Sequence, residues 1–483
     1  MKNGRRSGLR SIAVLLFIAC SPWLLCATAQ RVVFAHFMLA NQDYVSDDSP
    51  SEAVIASYED EIRQAQGIGI DGFALNAGGW FKEPRYIKRA SEMFEAAYRL
   101  NTNFKLMFSA DMCCSNDAED VEDMVRRFAN NSRYSAVYYK RDGKFVLTTF
   151  AGSKQGPQFW QQLRRDLEQG LNPSKHAAPG AISYANGVSS SKPLPIFLVP
   201  SFFWGGELPR KIDIETGLLD YSHTIDGALY WGIAGVPGLG HAPDQIPSSE
   251  LYGSVLHDAG KLYMAPICFQ FWGANAGRYY EYSGYSGMRA MWMDAIQVSH
   301  PDAVEIITWN DFIEGTYVSP IGDPASYPGA NDLGASVAPP STLHFFHTHR
   351  GATELLAYFI QWYKTGVQPA IRNDSVFWAY RTVMTYQPAT SNIKLYGPVA
   401  NSIYITANLA SPAVLRVSFG AESKLITLPA GSSDTQVPML AGYTPIFELS
   451  RGASSLIQMS GADSISANAS YPNLYYSTGG MHD

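Results

Sequence analysis

The sequence predicts an α/β protein in which a (β/α)8 TIM-like barrel is followed by a smaller all-β sandwich. Three observations carry that prediction. Eight short apolar runs alternate with segments of helical periodicity from Val32 to about Tyr363, and eight such units argue for a closed parallel barrel over an open doubly wound sheet. After Pro388 the pattern changes to alternating runs at 402–409, 414–419 and 424–428 with turn residues between them. That is the signature of antiparallel strands with one solvated face. Finally, roughly 450 residues remain behind an N-terminal leader, too many for one ordinary core.

The leader is read first. Met1 to Arg10 holds four basic residues and no acid, residues 12–26 are apolar, and the run ends in Ala27-Thr28-Ala29. A basic start, an apolar stretch too short to cross a bilayer comfortably and a small-residue cleavage pattern define a secretory signal peptide over 1–29. The mature chain is expected to begin near Gln30, secreted or associated with a cell wall, with no membrane anchor after cleavage.

Eight strands are predicted at 32–37, 70–75, 105–109, 145–149, 195–199, 227–231, 262–267 and 303–308, which gives barrel boundaries of 30–387 and sandwich boundaries of 388–483. The first helix is expected to use Ser49 as cap, Pro50 at its first position and Glu52 three residues after the cap. Val54, Ile55, Tyr58, Ile62 and Ala65 form its buried stripe, and Gly67 stops it. Residues 84–100 repeat the pattern. Val121, Val125 and Phe128 mark a third helix, and Phe159, Leu163 and Leu167 a fourth. Residues 205–224 show scattered charges and no clear stripe, so they read as a long loop, as do the Gly/Pro/Ala/Ser-rich residues 321–340. Residues 355–363 give a last apolar helix. The sandwich carries none of the strand-end acids and is expected to pack or assist, with sugar binding left open.

Composition narrows the partners. Charged residues are 16% of the chain, aromatics 13%, and the net charge of −7 includes no basic block. Nucleic acid is therefore excluded, while a polar, weakly charged surface with many aromatics suits neutral polysaccharide. Of the five cysteines, Cys20 and Cys26 leave with the leader. Cys113, Cys114 and Cys268 allow one disulfide at most. Vicinal Cys113 and Cys114 would close a strained ring, so a bridge would join one of them to Cys268. Asn130, Asn373 and Asn468 begin N-glycosylation acceptor patterns.

The chemistry concentrates in 306–317, where an apolar strand breaks into Trp309-Asn310-Asp311-Phe312-Ile313-Glu314-Gly315-Thr316-Tyr317. A turn after the strand would bring Asp311 and Glu314 to one side of one cleft. Two carboxylates are what glycoside hydrolysis needs, one to protonate the leaving oxygen and one to activate water. Trp309 and Tyr317 bracket them like platforms for a sugar. Barrel active sites draw on several strand ends, and these supply His36, Asp71, Asn76, Asp111, Tyr230, Trp231, Gln270 and Trp272, with Asn310 beside the acids. His344, His347 and His349 could approach a zinc ion, but no neighbouring acid or cysteine completes a site. No metal or cofactor is expected.

Val33-Phe34-Ala35-His36-Phe37-Met38, Gly69-Ile70-Asp71-Gly72-Phe73-Ala74-Leu75-Asn76, Phe108-Ser109-Ala110-Asp111-Met112 and Thr308-Trp309-Asn310-Asp311 with Glu314 together resemble glycoside hydrolase family 71. These are secreted endo-α-1,3-glucanases, also called mutanases. The resemblance spans the barrel in order and reaches weakly into the sandwich. It implies metal-free hydrolysis of α-1,3-glucan with inversion, carried by Asp311 and Glu314. Glu314 is expected as general acid because its longer side chain reaches further, and Asp311 as general base, with the reverse assignment open. Another barrel glycosidase, such as an endo-mannosidase, and a non-catalytic wall-polysaccharide-binding protein are the alternatives. A monomer is expected.

Overall fold

Every predicted barrel strand forms, because a strand buried on both faces is written as a near-continuous apolar run. In chain order the first part of the fold is β1 (Val32–Met38), α1 (Ser51–Gly67), β2 (Gly72–Ala77), α2 (Arg85–Leu100), β3 (Lys105–Asp111), α3 (Ala118–Ala129), β4 (Lys140–Arg141), β5 (Lys144–Phe150) and α4 (Pro157–Gln169). It continues through β6 (Ile196–Val199), α5 (Lys211–Tyr221), β7 (Gly227–Leu229), α6 (Ile246–Asp258), β8 (Leu262–Ile267), β9 (Phe271–Gly273), β10 (Arg278–Tyr280), α7 (Tyr285–Gln297), β11 (Ala303–Ile306) and α8 (Arg350–Thr365). The computed structural model describes residues 1, 31–39, 49–113, 117–170, 192–206, 209–231, 246–273, 277–320, 347–385, 393–397, 399–467 and 474–483. Residues 2–29 of the expected leader, the expected loop at 321–340, His344, Cys114 and Asn468 lie outside the described residues.

Parallel pairing runs β5-β3-β2-β1-β11-β8-β7, and β6 adds to β5. This is a curled, parallel-rich sheet with helices between its strands. Across the β6–β7 seam Leu229 N donates to Pro200 O at 3.0 Å, Asp226 N donates to Leu198 O at 2.9 Å, and Ser201 bridges Leu229 in parallel.

Two local expectations are corrected. The cap of α1 is Pro50, held extended at φ −56°, ψ 139°, and the helix begins at Ser51; Ser49 lies one residue outside the capping position. Residues 205–224 are not all loop, since they contain α5. Its buried stripe, Ile214, Leu218 and Tyr221, keeps helical spacing. Exposed Ile212 and Leu219 blur that stripe in sequence. Gly217, a poor helix former, is there because a Cβ would collide with the Trp204 indole.

The sandwich begins earlier than residue 388. Its strands are β12 (Ser375–Arg381), β13 (Lys394–Tyr396), β14 (Ser402–Leu409), β15 (Ala413–Phe419), β16 (Glu422–Leu428), β17 (Gly431–Pro438), β18 (Ile446–Arg451), β19 (Ser454–Ser460) and β20 (Tyr476–His482). One sheet is β17-β14-β12-β20 and the other β16-β15-β18-β19. They enclose a core that includes Trp378, Ile405, Leu415 and Phe447. β12 lies between β14 and the C-terminal β20, and its run buried on both faces resembles the barrel strands in sequence. β13 leaves the sandwich sheets and pairs with β10 of the β9–β10 hairpin.

Arg31–Asp483 forms one compact unit. At its internal junction Arg381 Nη1 reaches Glu281 Oε2 at 3.0 Å with both side chains fully buried. Tyr476 OH donates to Glu281 Oε1 at 2.8 Å, and Ser283 N donates to the same oxygen at 2.7 Å. Cys113 and Cys268 are both free thiols, so of the bridges the sequence allows, the one between these two does not form. Cys268 is buried and donates to Gln270 O, whereas Cys113 is exposed. Among the described residues no helix is long and apolar enough to cross a membrane.

Candidate active site

The segment after β11 is fixed by its own backbone before any side chain acts. Thr308 N donates to Thr316 O at 3.0 Å and Val318 N donates to Thr308 O at 3.0 Å, which folds 308–318 back on itself. Within that fold Asp311 N donates to Thr308 Oγ1 at 2.8 Å, and Glu314 N donates to Asp311 Oδ1 at 3.1 Å. The turn, expected from the spacing of the two acids, therefore forms, and one Asp311 oxygen organises it. Gly315 closes it at φ +65°, a conformation that glycine adopts without steric cost.

Asp311 is 7% exposed, whereas the Glu314 side chain is 40% exposed. Burial raises the Glu314 carboxyl above its ordinary value. The Asp311 charge adds to the rise and Asp111 contributes a smaller push, while Arg278 opposes it. Water reaching the side chain screens part of this rise. The Arg278 guanidinium stands 3.9 Å from Glu314 Oε1 and also covers the Phe271 ring. Asp111, at the end of β3, is 7% exposed and accepts from Cys113 N at 2.8 Å. Glu314 thus feels Asp311 of its own turn, Asp111 at the carboxyl end of β3 and Arg278 at the start of β10.

Of the other predicted residues, Trp231 is half-buried and meets the edges of His36 and Phe150, with ring centroids 4.7 and 5.1 Å apart. His36 lies beneath it, 1% exposed, with Nδ1 2.7 Å from Glu305 Oε1. Asn76 is buried at the end of β2, in register with Met38 and Ser109.

Six residues expected to contact sugar are enclosed by protein. Trp309 has no accessible surface, and its indole N–H donates to buried Glu61 of α1. Tyr317 is stacked on His349 at 3.9 Å, and its hydroxyl donates to His347 O. Asn310 clamps β1, accepting from Met38 N at 2.7 Å and donating to Met38 O at 3.2 Å. Gln270 donates to Gly315 O at 2.8 Å and accepts from Tyr476 N. Tyr230 stacks on Tyr252 of α6 at 4.4 Å. Trp272 joins a buried cluster with Phe312 and Tyr475 and donates only its backbone N–H to Glu314 O, at 2.8 Å. These residues build the walls of the site rather than its surface.

Asp71 is at the wrong end of its strand. It precedes β2, accepts from Val33 N at 2.8 Å and pairs with Lys364 at 2.7 Å. It ties α8 to the amino ends of the strands, away from the acids.

The two described members of the histidine cluster are engaged elsewhere: His347 Nδ1 lies 3.0 Å from Asp463 Oδ2, and His349 Nδ1 lies 2.6 Å from Tyr317 O. Among the described residues no group of three His, Cys, Asp or Glu is arranged to hold a metal. Reading by strand ends missed Arg278 and Glu305. Glu305 had a signal, a single acid inside an otherwise apolar buried strand. Arg278 had none, because a hairpin inserted after β8 delivers it.

Two carboxyl groups, buried Asp311 and partly exposed Glu314, thus share one turn at the carboxyl end of a parallel-rich α/β sheet. The profile of glycosyl hydrolase family 71 matches residues 29–477, and the chain belongs to that family and is a glycoside hydrolase. It is 26% identical over 469 residues to glucan endo-1,3-alpha-glucosidase agn1 of Schizosaccharomyces pombe, covering 95% of this chain and 97% of that one. It is 25% identical over 444 residues to a mutanase of Penicillium rubens, covering 89% and 84%. The S. pombe ascus wall endo-1,3-alpha-glucanase is 24% identical over 466 residues, covering 92% and 96%. Among solved structures, the GH99 endo-alpha-mannosidase of Bacteroides thetaiotaomicron aligns with a TM-score of 0.46 at 12% identity, over 70% of this chain and 98% of that one.

Proposed function

We propose that this glycoside hydrolase cleaves α-1,3-glucosidic bonds within α-1,3-glucan, with inversion, as a secreted monomer. The observation that supports the mechanism is the pair's geometry: Glu314 N donates to Asp311 Oδ1 at 3.1 Å, so a buried carboxyl and a partly open one share a single turn, and the Asp311 charge helps to raise the Glu314 carboxyl above its ordinary value. Glu314 gives its proton to the glycosidic oxygen as the bond to the anomeric carbon breaks. Asp311 takes a proton from the water that attacks the opposite face of the same carbon. An α-linkage thereby releases a β-anomer. Asp111 and Trp231 supply polar and aromatic contacts to the sugar, with His36 and Asn76 supporting them from below.

The substrate reading is supported by the three relatives, whose names specify 1,3-alpha-glucan or mutan hydrolysis. The leader pattern at 1–29 supports secretion. The sheet acts as a closed (β/α)8 barrel, a reading supported by the β6–β7 hydrogen bonds, and closure puts the strand ends around a common mouth. Digestion of insoluble α-1,3-glucan, with cellulose and starch as controls and profiling of the oligosaccharides, tests substrate and endo action together. Release of the α-anomer first would overturn inversion, and cleavage of the controls alone would overturn the substrate.

A further inference from the structure

The loop that carries Glu314 is held from outside the barrel. Tyr475, just before β20, donates its hydroxyl to Phe312 O. The next residue, Tyr476, donates its backbone N–H to Gln270 Oε1, and the other end of the same amide donates to Gly315 O. Two carbonyls of the 312–315 turn are therefore tied to one short stretch at the C-terminus. The third contact is steric. A Cβ on Gly315 would collide with the Tyr475 ring and come within 2.8 Å of Gln270 Nε2, so the ring and the turn fit only because the residue is glycine. A fourth tie comes from β13, which pairs in register with β10 and places Lys394 opposite Arg278, the residue whose guanidinium faces Glu314.

We infer that the C-terminal sandwich is a positioning element of the active site, with Tyr475 and Gln270 as the residues that set where the Glu314 carboxyl stands. Both side chains are buried and bond the backbone of 312–315, so they act through that backbone. The consequence is specific. A carboxyl within reach of Asp311, Asp111 and Arg278 owes its proton affinity to its place, and a turn free to move outward would take it further from Asp311 and further into water. Its proton affinity would then fall towards that of an ordinary glutamate. Catalysis is sensitive to such movement, since a displacement of about 1 Å of a reacting group costs up to roughly 100-fold. The inference rests on Glu314 being the general acid.

The experiment uses the full-length protein and a soluble α-1,3-linked gluco-oligosaccharide. Tyr475→Phe keeps the ring against Gly315 and removes only the hydroxyl. The expected result is a kcat lower by roughly 10-fold or more, a KM close to wild type, and an upper limb of the pH–rate profile moved to lower pH. Met459→Ala, an exposed sandwich position, is the control and is expected to match wild type. A fully active Tyr475→Phe overturns the inference, and so does one that loses rate only in proportion to its folded fraction with its pH profile in place. If Tyr475→Phe does not fold, Gln270→Met is read by the same criteria, because it removes the donor to Gly315 O without adding a charge near Glu314. Failure of the underlying assignment looks different: wild type would not cleave the oligosaccharide, or Glu314→Gln would cleave it normally.

Discussion

Glu281 and Glu314 are two acids set against protein with opposite company. At the junction between the parallel-rich sheet and the C-terminal strands Glu281 receives Arg381, the Tyr476 hydroxyl and the Ser283 N–H, all within 3.0 Å. At the mouth Glu314 faces Arg278 only at 3.9 Å, and its other charged neighbours, Asp311 and Asp111, share its sign. A buried charge whose lone pairs are all filled is committed to structure, because removing any partner leaves the others unpaired. A carboxyl left partly unsatisfied among like charges can exchange its proton, and that is the condition for acid–base work.

The contrast should survive mutation in opposite ways. Glu314→Gln and Asp311→Asn are each expected to lose roughly 100-fold or more in turnover, since general acid or base catalysis alone is worth that much, while folding normally. Turnover on α-1,3-glucan and thermal melting check this, and near-normal activity in either variant removes that residue from the mechanism. Glu281→Gln or Arg381→Met should instead cost about 3–5 kcal/mol of stability, because each strands a fully buried partner. Combining the two should cost less than their sum. Denaturant unfolding of the two singles and the double reads the coupling; strict additivity would mean that the pair does not act as a unit.

A smaller effect sharpens the same distinction. The folded state raises the Glu314 proton affinity above its ordinary value of 4.5, so it binds that proton more tightly than the unfolded chain does. The resulting stability is fully present below about 4.5 and is lost as pH rises through the raised folded value. Glu314→Gln carries no such proton. Its melting temperature relative to wild type should therefore climb between pH 4.5 and the alkaline side, then level off. A difference that stays flat across that range would show that the mouth does not raise this carboxyl.

Much of this contrast was legible in sequence and part of it was not. The eight strands could be read because burial on both faces leaves long apolar runs, and Asp311 and Glu314 could be read because they break such a run. Trp309 and Tyr317 look like sugar platforms to a linear reading. Only the fold reveals that Glu61 of α1 and the strap at 347–349 close over them. Asp71 was misplaced because Gly69-Ile70-Asp71-Gly72 does not say where the ladder starts, and the strand begins at Gly72. β12 reads as a barrel strand because it is buried on both faces from Val376 to Arg381, without the alternation that marks the later strands. The α5 stripe was hidden by two exposed apolar residues and by a glycine whose reason, Trp204, lies outside the helix.

The smallest expected effect belongs to a residue that resembles neither acid. Cys268 follows β8 directly, in a position where a barrel could place a nucleophile. Yet its thiol is buried, and burial pushes it up to about 12, so at neutral pH almost none of it is the reactive thiolate. Its Sγ donates to Gln270 O at 3.1 Å, a bond that a serine hydroxyl can also make. Cys268→Ser should therefore leave turnover within about two-fold of wild type and cost about 1 kcal/mol of stability, the order expected for exchanging a small buried apolar group for a hydrogen-bonded polar one. Turnover and melting on the same preparation decide it. A loss comparable to that of Glu314→Gln would place the thiol in the reaction. A moderate loss with the upper pH limb displaced would instead point to Gln270, which Cys268 helps to hold.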